Sequence, residues 1–180
     1  MGIEHTPEYK QSIMMRPACD KVLCNVFGIS KDNIKRYEHG TDLFILDQQF
    51  AIDLSVKLQN GTTLTGQEKA LSNHFYKFRT FTIEFYQNRY TKEKGEFFKI
   101  ASQFYLHGYS DESGIDFVDW YIIDILLLID WLKGYGESAL SKRIKPAKGS
   151  YAMFLPIPYS SIPDSFILHR KDKSINISDN

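Results

Sequence analysis

An alternation of apolar and polar positions is the clearest pattern in this chain. It covers residues 52–58 with a period of two, which is typical of a strand with one buried face. The Asn60-Gly61 pair that follows is a strong hairpin-turn signal, and TTLTGQEK then predicts the returning strand. The sequence therefore predicts a β-hairpin over about residues 50–69. The alternating aliphatic positions are Ile52, Leu54, Val56 and Leu58.

Further elements are predicted on both sides of the hairpin. The segment from Asp42 to the hairpin is rich in β-branched and aromatic residues and is predicted to be extended, as are residues 80–86 and 103–109. Helical spacing of apolar residues predicts helices over about 18–28 and 116–133, with a further helical turn over 30–37. Apolar residues between prolines in 151–168 predict edge strands. The predicted fold is α/β, with a mixed central β-sheet flanked by helices.

The composition indicates the number of domains and the cellular compartment. With 180 residues, 43% of them hydrophobic, the chain has the size of one domain, predicted over 1–172 with a flexible tail at 173–180. The two cysteines, Cys19 and Cys24, fall in one predicted helix, which is typical of reduced thiols. The first residues lack the basic and apolar regions of a signal peptide, and no apolar run is long enough to span a bilayer. We expect a cytoplasmic protein without a membrane partner.

The charges balance, with 22 basic and 22 acidic side chains. A global field that would attract nucleic acid is therefore excluded, and any such contact needs a local basic surface. The segment SKRIKPAKG supplies one as a predicted exposed loop, with Tyr151 and Tyr159 as candidates for base stacking. An ordinary solvated loop is the alternative interpretation. The basic residues of this candidate nucleic-acid-binding segment are Lys142, Arg143, Lys145 and Lys148.

Candidate chemistry lies on the predicted hairpin. Asp53 is on one strand, and the run Gln67-Glu68-Lys69 is near the end of the other. An acid, a second oxygen ligand and a lysine on adjacent strands can hold Mg²⁺ or Mn²⁺ while the lysine orients or deprotonates a water molecule. The alternative is a solvated cross-strand ion pair between Asp53 and Lys69.

The pairing register decides which of these side chains meet. A two-residue loop, Asn60-Gly61, would place Asp53 opposite Glu68, whereas a three-residue loop that includes Thr62 would place it opposite Lys69. The second register is favoured, because it pairs Leu58 with Leu64 on the apolar face and leaves Gln67 on the face of Asp53.

The run IDLSVKLQNGTTLTGQEK, residues 52–69, resembles the core of the PD-(D/E)XK nuclease superfamily. In that superfamily a strand with Asp precedes a strand with (Glu/Asp)-x-Lys, and this pattern maps onto Asp53, Gln67 and Lys69 as catalytic residues. Gln67 departs from the pattern, because an amide replaces the usual carboxylate and is a weaker ligand for a hard cation. Glu68 could compensate, so the implied metal ligands are Asp53 with Gln67 or Glu68. Members also supply an acid from the first helix, for which the candidates are Glu38, Asp42 and Asp47.

The resemblance implies a restriction-endonuclease-like fold and a nuclease that uses Mg²⁺ or Mn²⁺, as an endonuclease or an exonuclease, on DNA rather than RNA. Residues 42–132 are also similar to small phage or plasmid-type proteins. A homodimer is expected, because cutting two strands needs two sites. One alternative is a catalytically inactive nuclease-like scaffold that binds protein or nucleic acid. Another is an unrelated α/β domain in which the motif arises by chance.

Overall fold

Strands from both halves of the chain form two β-sheets with helices packed against them. The computed structural model describes residues 7–37, 43–147 and 149–171. Its helices are α1 (Pro7–Phe27), α2 (Phe44–Phe50), α3 (Glu96–Lys99), α4 (Ile125–Lys133) and α5 (Glu137–Ser141). Its strands are β1 (Ile34–Arg36), β2 (Leu54–Lys57), β3 (Thr63–Leu71), β4 (Thr80–Asn88), β5 (Glu93–Lys94), β6 (Phe104–Ser110), β7 (Phe117–Asp124), β8 (Lys145–Pro146), β9 (Met153–Pro158) and β10 (Ile167–Arg170). No helix in these ranges has the length and apolarity needed to cross a membrane.

The larger sheet is mixed and has the strand order β1-β2-β3-β6-β7-β10. Its β3 and β6 run parallel, and its other neighbouring strands run antiparallel. The prediction of an α/β fold with a mixed sheet and helices is thus confirmed. The second sheet, in the order β5-β4-β9-β8, is antiparallel and was not separated from the first by the sequence pattern.

Each face of the larger sheet covers its own apolar core. One face packs against α1, and the other packs against the smaller sheet and α4. Alternation along each strand therefore decides which core a side chain enters. The α1 side includes Leu23, Leu54, Val56, Leu106 and Ile122, and the other side includes Tyr105, Ile123, Phe81, Leu155 and Leu128.

The predicted hairpin exists, but its register differs from both predicted pairings. Leu54 pairs with Gly66 and Val56 pairs with Leu64. The Leu58 N–H donates to the Thr62 carbonyl at 2.8 Å, so the loop consists of residues 59–61. It has three residues as favoured, but it begins one residue earlier, with Gly61 in the left-handed conformation (φ +85°) at the end of the turn.

The long helix predicted over 116–133 is wrong in its first half. Residues Phe117–Asp124 form strand β7, and helix α4 begins only at Ile125. The strand is covered on both faces, so its apolar run has no alternation that would separate it from a helix. Asp124 marks the change, because its carboxylate caps α4 by accepting the Leu127 N–H at 3.0 Å.

The N-terminal half differs in detail from the predicted elements. The first helix is confirmed and extends back to Pro7. The predicted helical turn over 30–37 is limited to a 3-10 turn at Lys31–Asn33, after which β1 adds an edge strand to the hairpin. The segment predicted to be extended from Asp42 contains the short helix α2 instead, which ends at Ala51 in the left-handed conformation (φ 47°).

Candidate functional site

Asp53 lies against the middle of β3. It stands immediately before β2, where its backbone N–H donates to the Gly66 carbonyl at 3.0 Å. Its carboxylate Oδ2 accepts the Glu68 N–H, also at 3.0 Å. Asp53 is thereby fixed beside Gln67, which lies between those two residues of β3, and not opposite Lys69 as the favoured register predicted.

Gln67 and Lys69 share the face of β3 that points toward the smaller sheet. Their neighbours on β6 are Tyr105 and His107, which belong to or adjoin the core on that side. Gln67 is only 5% exposed. The Lys69 ammonium lies 4.3 Å from the centroid of the Phe154 ring on β9, a cation–π contact that holds it between the two sheets.

Glu68 faces the opposite side of the same strand. Arg36 donates to both of its carboxylate oxygens, from Nε at 2.8 Å and from Nη2 at 2.9 Å, and Arg36 also contacts Asp20 of α1 at 2.7 Å. These three side chains are mostly buried, which makes them a charge network between α1 and the sheet. The structure does not bring the Glu68 carboxylate to the side of Gln67.

Three further carboxyl groups gather around Asp53 and Gln67. The Asp47 carboxyl, on α2, is hydrogen-bonded to that of Asp53. Glu96 begins α3, where its Oε1 accepts a long hydrogen bond from Gln67 Nε2 at 3.4 Å and its Oε2 lies 3.5 Å from the Glu84 nitrogen. We call Asp47, Asp53, Gln67, Glu84 and Glu96 the acidic cluster.

A glycine makes this approach of α3 to β4 possible. A Cβ on Gly95 would lie 2.7 Å from the carbonyl oxygen of Glu84 and 2.8 Å from its Cγ. The Gly95 N–H also donates to the Phe85 carbonyl at 3.0 Å. Gly95 therefore sets Glu96 next to Glu84, a contact that the sequence reasoning missed because Glu96 carries no motif of its own.

Burial and mutual repulsion shift the protonation of the cluster. Burial raises the pKa of Asp53 well above its ordinary range, and the negative charge of Asp47 raises it further, although the Glu68 N–H acts in the opposite direction. Burial likewise raises the pKa of Asp47. Burial and then the charge of Glu96 raise the pKa of Glu84 to about 6. Crowded carboxyl groups of this kind need either shared protons or a cation.

Two lysines balance part of the charge. The positive charges of Lys69 and Lys99 act to lower the pKa of Glu84, and the charge of Lys99 also acts to lower the pKa of Asp47. If all four carboxyl groups of the cluster are ionised, these two ammonium groups leave a net charge of −2. A divalent cation would neutralise it.

A buried amide oxygen points to the same conclusion. Gln67 Oε1 has no hydrogen-bond partner among the described residues, although buried amide oxygens are almost always paired. The hydroxyl of Tyr105, its neighbour on β6, is unpaired in the same sense. Carboxylate and amide oxygens are what Mg²⁺ and Mn²⁺ bind, so the donor set fits such an ion. In the described ranges, however, no three His, Cys, Asp or Glu side chains are already arranged to hold a metal.

The remaining predicted residues lie in different places. Of the three candidates for an accessory acid, Asp47 joins the cluster, whereas Glu38 and Asp42 lie outside the described residues. Lys142 and Arg143 are exposed after α5, Lys145 is exposed on β8, and Lys148 is not described. Tyr151 is exposed, but Tyr159 is buried against Tyr121 and His107, which excludes it as a stacking surface.

No family model, curated protein or solved structure matches the chain. The resemblance to the PD-(D/E)XK superfamily therefore stays a prediction that rests on residues 52–69. The arguments that follow depend on the geometry of the acidic cluster and of Lys69.

Proposed function

We propose that this protein is a divalent-metal-dependent nuclease that hydrolyses phosphodiester bonds, in DNA rather than RNA. The observation that carries the proposal is the buried, unpaired Gln67 Oε1 beside the carboxyl groups of Asp53 and Glu96, with Lys69 two residues further along the same strand face. The hairpin within a mixed sheet supports a restriction-endonuclease-like arrangement of these residues.

The cluster would hold the ion through oxygen atoms. Asp53 has one carboxylate oxygen, Oδ1, that is not engaged by Glu68, and Gln67 contributes Oε1. Asp47 and Glu96 stand where they can replace the usual carboxylate that Gln67 lacks. Mg²⁺ or Mn²⁺, when bound, supplies Lewis-acid stabilisation of the charge that develops on the phosphate oxygens.

Lys69 would act on the water or the phosphate. Its ammonium is held over the Phe154 ring of the smaller sheet, and its side chain is half-buried there. An ammonium in such a setting orients the attacking water molecule and adds to the stabilisation of a phosphorane-like transition state. His107, beside Lys69 on β6, stays neutral because burial and then the charge of Lys69 lower its pKa well below its ordinary range.

A second function is favoured by one observation, the amide at position 67. A scaffold that kept the cluster but lost tight metal binding would bind nucleic acid or protein without cleaving it. The two functions differ in one measurable property, which is cleavage that depends on both the metal and Lys69.

The test is cleavage of single-stranded, double-stranded and branched DNA, and of RNA, in Mn²⁺ and in Mg²⁺. The wild type is compared with Asp53→Asn and Lys69→Met, and Asp130→Asn, on the exposed side of α4, is the matched control. We expect metal-dependent cleavage that both site variants lose and that the control keeps. Because Lys69→Met leaves all the oxygen ligands in place, it should still bind Mn²⁺ in calorimetry.

Two results would contradict the proposal. Folded wild type that binds nucleic acid and cleaves none of these substrates would favour the binding scaffold. Cleavage that survives both site substitutions would place the activity elsewhere or in a contaminant.

A further inference from the structure

Two exposed tyrosines stand together at the end of the smaller sheet. Tyr90 is 70% exposed and Tyr151 is 61% exposed, and their ring centroids lie 5.7 Å apart at an interplanar angle of 62°. The Arg89 guanidinium lies 4.9 Å from the centroid of the Tyr90 ring, and its Nη2 donates to the Tyr90 hydroxyl at 2.9 Å. We call Arg89, Tyr90 and Tyr151 the tyrosine platform.

The two loops that carry the platform are fixed by hydrogen bonds. The Arg89 N–H donates to the Tyr151 carbonyl at 2.9 Å, which ties one loop to the other. Asn88 Oδ1 accepts the Tyr90 N–H at 2.9 Å, and Ser150 Oγ accepts the Ala152 N–H at 3.1 Å. These bonds fix the backbone that carries the two rings, and most of the surface of both rings stays exposed to solvent.

The surroundings of the platform are basic. A pocket of about 490 Å³ adjoins it, and Arg89 is the one charged side chain among the described residues that line this pocket. The two hairpins that carry the platform, residues 88–94 and the described part of 145–154, have four exposed cations and one exposed acid, Glu93. The cations are Arg89, Lys92, Lys94 and Lys145. This charge is complementary to a polyanion.

From these observations we infer that the tyrosine platform binds unpaired nucleotides, so that the substrate of the neighbouring site is single-stranded nucleic acid or a frayed end. Aromatic rings and an arginine beside a basic surface form the usual stacking site for exposed bases. A duplex hides its base faces in its own stack and would leave both rings without a role. The inference rests on the proposed function for the identity of the polymer.

The register of the smaller sheet connects the platform with the acidic cluster. The Lys69 ammonium lies over the ring of Phe154. Phe154 is three residues from Tyr151, which is about 10 Å along an extended strand. That distance is about three stacked nucleotides. Phe154 also pairs with Lys145 on one side and with Glu84 on the other. A strand stacked on the platform would thus pass Lys145 and reach Lys69.

The test is fluorescence anisotropy of a labelled oligothymidylate, and of a duplex of the same length, in chelator and at low salt. The full chain is compared with Tyr90→Ala/Tyr151→Ala, with Tyr90→Trp/Tyr151→Trp, and with Tyr135→Ala as an exposed tyrosine outside the platform. We expect the alanine pair to raise the Kd for the single strand at least about fivefold, or about 1 kcal/mol, while the tryptophan pair and the control stay near the wild type. Photo-crosslinking of a bromodeoxyuridine oligonucleotide to wild-type Tyr90 or Tyr151 gives a second readout that needs no substitution.

Unchanged single-strand binding in the alanine pair, or a wild type that binds the duplex at least as tightly, would overturn the inference. So would a wild type that binds neither, since the rings would then belong to another class of partner. The assay contains no metal, so its outcome is independent of cleavage. Selective binding of the single strand without cleavage would refute the proposed nuclease activity and support the tyrosine platform. Cleavage without selective binding of the single strand would support the nuclease activity and refute the platform.

Discussion

Replacing Asp53 with asparagine tests two properties of the acidic cluster, the repulsion between its carboxyl groups and the proposed binding of a metal ion. Asparagine keeps an oxygen that can accept the Glu68 N–H, and it replaces the carboxyl group that contacts Asp47 with an amide that cannot ionise. Two carboxylates about 4 Å apart repel each other by about 4 kcal/mol at an effective dielectric constant of about 20. A proton shared by the two groups relieves part of this repulsion. We therefore expect Asp53→Asn to raise the free energy of unfolding, measured in the presence of a chelator, by about 2 kcal/mol, or about 4–8 °C in Tm.

The sign of the pH dependence follows from the raised pKa of Asp53. A carboxyl group with a higher pKa in the folded than in the unfolded protein holds its proton more tightly when folded, so its contribution to stability is lost as the pH rises through the folded pKa. The advantage of Asp53→Asn should therefore grow with pH, and it should narrow as the pH falls toward about 4.

The assay is thermal or urea unfolding, with and without Mn²⁺. At a concentration of about one hundred times its Kd, the ion should stabilise the wild type by about 2.7 kcal/mol. Asp53→Asn should lose most of this gain, and Asp130→Asn should keep it. Equal stabilisation of the wild type and Asp53→Asn by Mn²⁺ would refute the assignment of Asp53 as a ligand. A variant that is less stable than the wild type in chelator would refute the repulsion.

Four other substitutions test the neighbouring contacts. Gln67→Glu adds the missing carboxylate, so it should lower the Kd for Mn²⁺ in calorimetry by about tenfold while reducing stability in chelator. Glu84→Gln should remove a loss of about 1 kcal/mol that the wild type shows in urea unfolding as the pH rises from about 4.5 through 6; the figure is reduced because the side chain is only partly buried. Arg36→Met leaves the buried Glu68 carboxylate unpaired and should cost about 3 kcal/mol in the same assay. Gly66→Ala would place a Cβ 2.3 Å from the Phe104 ring and should lower stability by about 1–3 kcal/mol, readable as a fall in Tm.

The parts of the fold that could be predicted are those with a local signal. The alternation before Asn60-Gly61 predicted the hairpin correctly, because its aliphatic positions enter the core on the α1 side and Gly61 permits positive φ. The pairing register was not predictable in the same way. Three-residue turns that differ by one position fit the same sequence, and the choice depends on how Asp53 and Gly66 bond at the far end of the hairpin.

Elsewhere the local signal is absent for physical reasons. Strand β7 is covered by a core on each face, so its sequence reads as one apolar run that also suits a buried helix. Glu96 reaches Gln67 through the packing of α3 on β4, which depends on the missing side chain of Gly95 and on residues far apart in the chain. Such contacts have no period that a single sequence could show.

The two faces of β3 show why one acid of the hairpin is structural and its neighbours are functional candidates. On the α1 side, Glu68 has both oxygens bonded to Arg36, and the charges there are matched within the fold. On the other side, Gln67 Oε1 is buried without a partner among the described residues, and the surrounding carboxyl groups exceed the lysines. Stability alone favours matched charges, because unmatched buried groups cost free energy. On the side of Gln67, the proposed cation and anionic substrate would supply the missing partners of the buried oxygens, and Lys69 lies next to them on the same strand face.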